Sequence, residues 1–492
     1  MNKQRRLIER RLPLAIAAAL LLGGCAVGPD YETPATPLPK QFSKLAPASA
    51  ETVGYVDAAP IAQFWRLFDD AMLNRLVEQA LDTNHDIRIA AANLEAARAI
   101  RGGAIADLFP AVGIETRRDK SRLSADETAT GTVQRSTLNR GGVDMAWELD
   151  LFGRVRRNVE ASSASAQAFA EELRAARVSV SAEVATNYME LRGVQEQFAV
   201  AKRNADNQRE TLKIVEAREQ AGRGTEFDTQ RARAQLNSTL AQLPALQAQV
   251  ELRMHRLSVL LGQSPTLLDE MLRPVEALPA LPRLVQIGKP EQLLRRRPDV
   301  RAAERRLATA TANIGVAEAD WFPRVSFTGE IGFAAASGGR IGDGDTATYR
   351  YGPGISWSIL DFGHLRARVA QSKAEEKGAL ASYEQTVLRA LEETEDALSQ
   401  YGATRQRLDY LQASVDANAR AEALAQLRFE NGSADFLDVL DVQRARLDVD
   451  ASLSQSRTAA ATGLIAVYKA LGGGWQADAD VVAASNAATD AD

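Results

Sequence analysis

Between Gly363 and Glu430 the chain carries no proline, and Leu380, Val387, Tyr401, Leu408 and Val415 fall on one seven-residue phase. Such spacing predicts a continuous helix with coiled-coil packing. At 1.5 Å per residue it would run roughly 100 Å, several times the width of a small domain, so no compact globule can contain it. The 492 residues are 6% aromatic, which suits long helices packed through small and aliphatic side chains. A net charge of -5 gives no support for a nucleic-acid partner.

This helix has a twin. After Phe152-Gly153 a helical pattern lasts to Gln220, with Val184, Leu191, Phe198 and Leu212 on one phase. Asp86, Asp107 and Pro110 precede Asp299, Asp320 and Pro323 by 213 residues, and Trp147, Phe152, Gly153, Gly222, Asp228 and Gly262 precede Trp357, Phe362, Gly363, Gly432, Asp438 and Gly472 by 210. Shared offsets at so many punctuating positions mark a tandem duplication. Each repeat, 69–262 and 291–474, reads as helix, β-hairpin, long helix, short helix. The Pro- and Leu-rich linker 263–290 is expected as an equatorial belt. The first helix is predicted to run unbroken from about Asp69 to Asp107, and the short helix 226–261 to kink rather than stop at Pro244. Residues 475–492 read as a disordered acidic tail.

The hairpins, expected over 111–149 and 324–360, alternate. Val112, Ile114 and Thr116 oppose Gly113 and Glu115; Val325, Phe327, Ile331 and Phe333 oppose Arg324, Ser326, Thr328 and Glu330; Tyr349, Tyr351, Ile355, Trp357 and Ile359 continue the pattern on the return strand. That alternation suits lipid on one face and water on the other. A soluble sheet with one buried face is the alternative, and the Tyr and Trp near strand ends favour the membrane. Four strands cannot close a barrel, and an open edge in lipid leaves backbone groups unpaired at several kcal/mol each, so several copies must share one barrel. About eight strands are needed, which two copies would meet and three would exceed with a wider bore.

Arg5, Arg6, Arg10 and Arg11 precede an apolar run, Leu12 to Leu22, too short to span a bilayer comfortably. Residues 1–24 therefore read as an export signal. Leu22-Gly23-Gly24-Cys25 resembles a bacterial lipobox, which implies cleavage and lipidation at Cys25, with diacylglycerol and an N-acyl chain as the only attached groups. Ala26, lacking the aspartate that would retain a lipoprotein at the inner membrane, implies delivery to the outer membrane. Cys25 is the chain's single cysteine, so an intramolecular disulfide is impossible. Residues 25–68, punctuated by Pro34, Pro37 and Pro39, read as an extended tether.

Gly24-Cys25-Ala26-Val27-Gly28-Pro29-Asp30-Tyr31, Trp65 with Phe68 and Asp70, Asn84 with Asp86, two Phe-Pro helix ends, Trp147 with Phe152-Gly153, and Leu260-Leu261-Gly262 together resemble an outer membrane factor of the TolC/NodT type. The resemblance implies a mainly α fold with a membrane β-barrel: a homotrimer sharing twelve strands above a long periplasmic coiled-coil α-barrel. Its partners would be a periplasmic adaptor, an inner-membrane pump and outer membrane lipid. It would serve as the exit duct of a tripartite efflux transporter of RND type; a type I protein secretion duct would need the same architecture, and a lipid-anchored coiled-coil scaffold is a further reading. No enzyme activity is expected.

By this topology the turns at Gly222, Gly224, Gly432 and Ser433 form the periplasmic tip, where an adaptor would dock. Asp438 and Asp441 lie one turn apart on the following helix and hence on one face. In a trimer they would make carboxylate rings, a usual device of cation selectivity, and the resemblance puts the gate there. The plainer reading makes them solvated acids at a helix start. Ala434 stands where some relatives carry a bracing arginine, a contact that Arg223 could replace. Asp228 recurs as Asp438, but Arg231 occupies the position equivalent to Asp441, which assigns the gate to the second repeat. His85, His255 and His364 are dispersed and predict no metal site. Arg295-Arg296-Arg297 before Pro298 reads as a solvated helix start.

Overall fold

The computed structural model describes residues 26–43, 54–56, 62–282, 284–336 and 338–473. The signal segment, Cys25 and the acidic tail lie outside them. The described residues fall into two compact units: those up to 35 with 93–170 and 302–384, and those of 36–92 with 171–301 and from 385 onward.

In the first unit, β2 (Ala111–Leu123), β3 (Gln134–Leu149), β5 (Arg324–Ala335) and β6 (Ala347–Ser356) form one antiparallel sheet in the order β2-β3-β5-β6. Each hairpin is formed locally, and β3 pairs with β5 to join the repeats. The register brings the apolar alternation of all four strands into line. Ile114, Val143, Ile331 and Tyr349 make one cross-strand row; Val112, Met145, Gly329 and Tyr351 make the next. Asp144, Glu330 and Arg350 share a row on the other face. Contrary to the expected span of 324–360, the return strand stops at Ser356. Trp357 to Asp361 instead turn, with the Ile359 and Asp361 amides donating to the Trp357 and Ser358 carbonyls.

The second unit holds the main core. Helix α1 (Ala71–Thr83) packs Leu73, Leu76, Val77 and Ala80 with Val184, Tyr188 and Leu191 of α3 (Arg154–Gln220) and with Leu464, Ile465 and Tyr468 of α10 (Phe436–Ala470). Phe64 stacks on Tyr468 at 5.8 Å. Of the predicted heptad positions, Val184, Leu191 and Leu212 of α3 are buried, as are Val387 and Tyr401 of α9 (Phe362–Glu430), while Phe198, Leu380, Leu408 and Val415 are half-buried. α3 and α9 have 67 and 69 residues, roughly 100 Å each.

The first helix is not continuous. Asn84 leaves the helical region at ψ 134, ending α1, and α2 (His85–Ala106) begins at once. The Asn84 side chain accepts from the Asp86 and Ile87 amides at 2.8 and 3.2 Å and donates to the Leu260 carbonyl at 2.8 Å. One amide thus caps a helix and ties it to the end of α5 (Gln242–Leu260). The short helix likewise divides into α4 (Glu226–Leu240) and α5, yet Ala241 between them keeps a helical φ and ψ. Pro244 supplies no amide to the Leu240 carbonyl, so the ladder lapses there.

The linker contains a short helix α6 (Asp269–Leu272) and strand β4 (Leu284–Gln286), which pairs in parallel with β1 (Gly54–Val56). It is fixed to α3 near that helix's midpoint. Buried Arg192 donates to the Pro274 carbonyl at 2.8 Å and pairs with Glu276, and Gln195 donates to the Leu272 carbonyl at 2.8 Å. Helices α7 (Pro290–Arg296) and α8 (Pro298–Ala319) complete the second repeat.

The duplication extends to individual contacts. The Trp147 indole donates to the Leu108 carbonyl at 2.9 Å, and Trp357, 210 residues on, donates to the Trp321 carbonyl at 3.1 Å. Where Asn84 bonds Leu260, Arg297 bonds the Ala470 carbonyl at 3.1 Å. Arg297 is accordingly buried between Asp299 and Glu393, both at 2.7 Å, and is not the solvated residue its arginine run suggested. The residue before a proline avoids the helical region, so Arg297 separates α7 from α8 and turns inward.

Candidate functional site

The first candidate is the sheet's apolar face. Ile114, Ile331, Tyr349, Tyr351 and Ile355 are between 66% and 83% exposed, although a soluble sheet would bury them. Tyr349 and Tyr351 stack with centroids 6.1 Å apart. At the helical end of the strands the aromatic residues gather: Phe152 stacks on Phe322 at 4.7 Å and Trp321 on Phe362 at 6.1 Å. A tall apolar face with aromatic rings at its edge fits a strand set in lipid. Among the described residues no helix is long and apolar enough to cross a membrane.

The second candidate is the pair of turns. After α3 the chain reverses at Gly222, which has φ 72, and after α9 at Gly432, which has φ 70. In both, the amide of the residue after the glycine donates to a carbonyl five residues back, Arg223 to Arg218 and Ser433 to Arg428, each at 2.8 Å. This is a Schellman closure, which needs a residue at left-handed φ. Gly224 permits a close approach instead: a Cβ there would meet the Glu219 amide nitrogen at 3.1 Å. Ser433 adds a hydroxyl bond to the Arg428 carbonyl at 3.0 Å.

Beyond the turns the repeats differ. Thr225 caps α4 with Asp228 in a reciprocal capping box, the Thr225 hydroxyl donating to the Asp228 carboxylate at 2.7 Å. Asp435 caps α10 without a side-chain bond. Asp438 and Asp441 are both exposed, while Phe436, Val439 and Leu440 are buried behind them. Neither side-chain carboxylate has a hydrogen-bonding or ion-pair partner among the described residues. Asp228 is thus committed to capping and its repeat equivalent Asp438 is not.

The arginine that crosses between the turns is Arg218, which sequence reasoning missed. Its guanidinium lies 4.3 Å from the Phe429 ring centroid, and its Nη1 donates to the Phe429 carbonyl at 3.4 Å. Phe429 in turn packs on Phe436 at 5.5 Å. The anticipated bracing residue, Arg223, is used only through its backbone in the described contacts. A basic last turn beside an aromatic 211 residues later carries no sequence signal, apart from the repeat placing the two turns as equivalents. No group of three or more metal-ligating side chains occurs among the described residues.

The N-terminal strap meets the first unit at defined points, unlike a free tether. The Val27 amide donates to the Phe152 carbonyl at 3.1 Å, and Arg157 donates to the Val27 and Gly28 carbonyls and to Asp30 at 3.1, 3.0 and 2.8 Å. The Cα of Gly315 would lie 2.4 Å from a Cβ at Gly28, which therefore has to be glycine.

A family profile described as outer membrane efflux protein matches residues 76–263 and again 290–473. The chain belongs to that family. Its two matches coincide with the two repeats. Relatives include the solvent efflux pump outer membrane protein SrpC of Pseudomonas putida, 32% identical over 94% of this chain and 98% of its own length. Nodulation protein T of Rhizobium leguminosarum bv. trifolii is 31% identical over 89% of this chain and 92% of its own. Among solved structures, the outer-membrane channel OprN is 43% identical, with a TM-score of 0.86 over 92% of this chain and all of its own. Membership makes this protein an outer membrane efflux channel, and the family is one of channels rather than enzymes.

Proposed function

We propose that three copies of this chain close one barrel, are anchored by acyl chains on Cys25, and are gated at Asp438 and Asp441, with a periplasmic adaptor docked at the Gly222, Gly224, Gly432 and Ser433 turns and an inner-membrane pump as the further partner. The observation that carries the shared barrel is the sheet itself. It has four strands, an exposed apolar face, and edges at β2 and β6 with no partner strand among the described residues. In lipid such edges must be paired, and another copy offers the complementary edge. The number three rests on the family resemblance. Exposed, unpaired aspartates one turn apart support the gate, because a ring of such acids attracts cations.

Native mass spectrometry of the full chain in mild detergent tests the copy number. A species of three chains, each carrying the acyl mass, is expected; a predominant monomer or dimer contradicts it. The cargo is read as small and apolar, in line with a relative named for solvent efflux. Deleting the gene should then sensitise cells to toluene while leaving secreted protein unchanged. Loss of a secreted protein with solvent tolerance intact favours the protein-secretion reading.

A further inference from the structure

The lipid-facing side of the β2–β3 hairpin changes chemistry along its length. From Val112 to Ile114 and from Leu149 to Val143 it is apolar; past Thr116 the same face carries Arg118, Lys120 and Arg122, with Arg135 directly opposite Arg122. All four cations are exposed and none has an ion-pair partner among the described residues. No carboxylate occupies this face of either strand. Asp119 points to the other face and pairs with Arg117 at 2.7 Å, and Glu127 in the connecting loop is turned back onto Ser124. Like charges opposite one another weaken a sheet, so Arg122 against Arg135 asks for an external counter-charge.

The stripe's place identifies that counter-charge. Arg118 follows Ile114 by roughly 13 Å of strand, so the cations begin where the apolar belt ends. Val27, two residues after Cys25, is bonded to Phe152 at the helical end of the sheet. The acylated residue therefore marks that end as the periplasmic side, and the loop after Leu123 lies at the exterior.

We propose that Arg118, Lys120, Arg122 and Arg135 bind the phosphates of a phosphorylated glycolipid in the outer leaflet of the outer membrane. Guanidinium groups match phosphate with paired donors, and a multivalent anion neutralises several cations together. The inference rests on the reading of this sheet as a membrane barrel.

The test uses full-length protein in mild detergent, titrated with bis-phosphorylated lipid A, its dephosphorylated form, phosphatidylglycerol and inorganic phosphate. Wild type should bind bis-phosphorylated lipid A at least about tenfold tighter than the dephosphorylated form or phosphatidylglycerol, and the preference should shrink in high salt. Millimolar inorganic phosphate should not displace the lipid. Substituting all four residues with glutamine should abolish the preference, whereas Arg117→Gln with Arg140→Gln, on the opposite face, should keep it. Equal wild-type binding of both lipid A forms overturns the proposal without any variant. Phosphatidylglycerol binding as tightly, displacement by inorganic phosphate, or an unaltered preference in the glutamine variant overturns it too. Planar-bilayer conductance of the same wild-type sample separates the two readings: conductance without lipid preference defeats only this inference, and absence of conductance defeats the channel.

Discussion

Arg297 and Asn84 hold equivalent posts with unlike side chains, each bonding a carbonyl at the end of its repeat's short helix. Arg297→Ala leaves that carbonyl only the longer bond from the Thr394 hydroxyl, at 3.4 Å, and removes a buried cation from two half-exposed carboxylates, a loss of about 2 kcal/mol in unfolding free energy. Arg297→Asn, which imports the first repeat's solution, should recover part of it, as read from thermal midpoints. Asp320 makes a second residue-level case. Burial alone would raise its pKa, but bonds from Arg324, at 2.6 Å, and Arg368 outweigh burial and hold its carboxyl below the usual range. A depressed acid stabilises above its unfolded pKa, near 3.9, and that stability is lost as pH falls through the lower folded value. Asp320→Asn should therefore flatten the acid limb of the stability profile below about pH 4, while an unchanged limb would show the bonds contribute nothing. Neither residue's role was legible in sequence. Arg297 sits in an arginine run that looks solvated, and Asp320 differs from its equivalent, the exposed Asp107, through Arg324 four residues on, where the first repeat has Ala111, and through Arg368, which only tertiary structure brings to it.

Among elements, α3 and α9 were legible nearly to the residue, because an unbroken heptad phase between glycine turns leaves little choice. The break at Asn84 was not, since Asn is tolerated inside helices and only its bond to Leu260 reveals a cap. The return strand was overextended because Trp357 and Ile359 preserve the alternation of period two, while the turn hydrogen bonds that end the strand leave no trace in periodicity. The short helices show how one residue separates the repeats: α10 runs through Ser454, the counterpart of Pro244, without interruption. Pro244→Ser restores the missing amide and should slow hydrogen exchange across residues 240–246. Unchanged exchange would place the cause of the break elsewhere.

For the whole molecule, duplication and membrane sheet followed from the sequence because both are repeating patterns, whereas the tip depends on single contacts. Arg218 braces the second repeat's turn through Phe429, with Asp438 and Asp441 exposed on the helix beyond. In the gate proposed above, these acids restrict an otherwise open duct. Single-channel recording in planar bilayers, comparing wild type with Asp438→Ala combined with Asp441→Ala, tests it most directly. The variant is predicted to conduct more and to select less for cations; conductance and selectivity identical to wild type would contradict the gate.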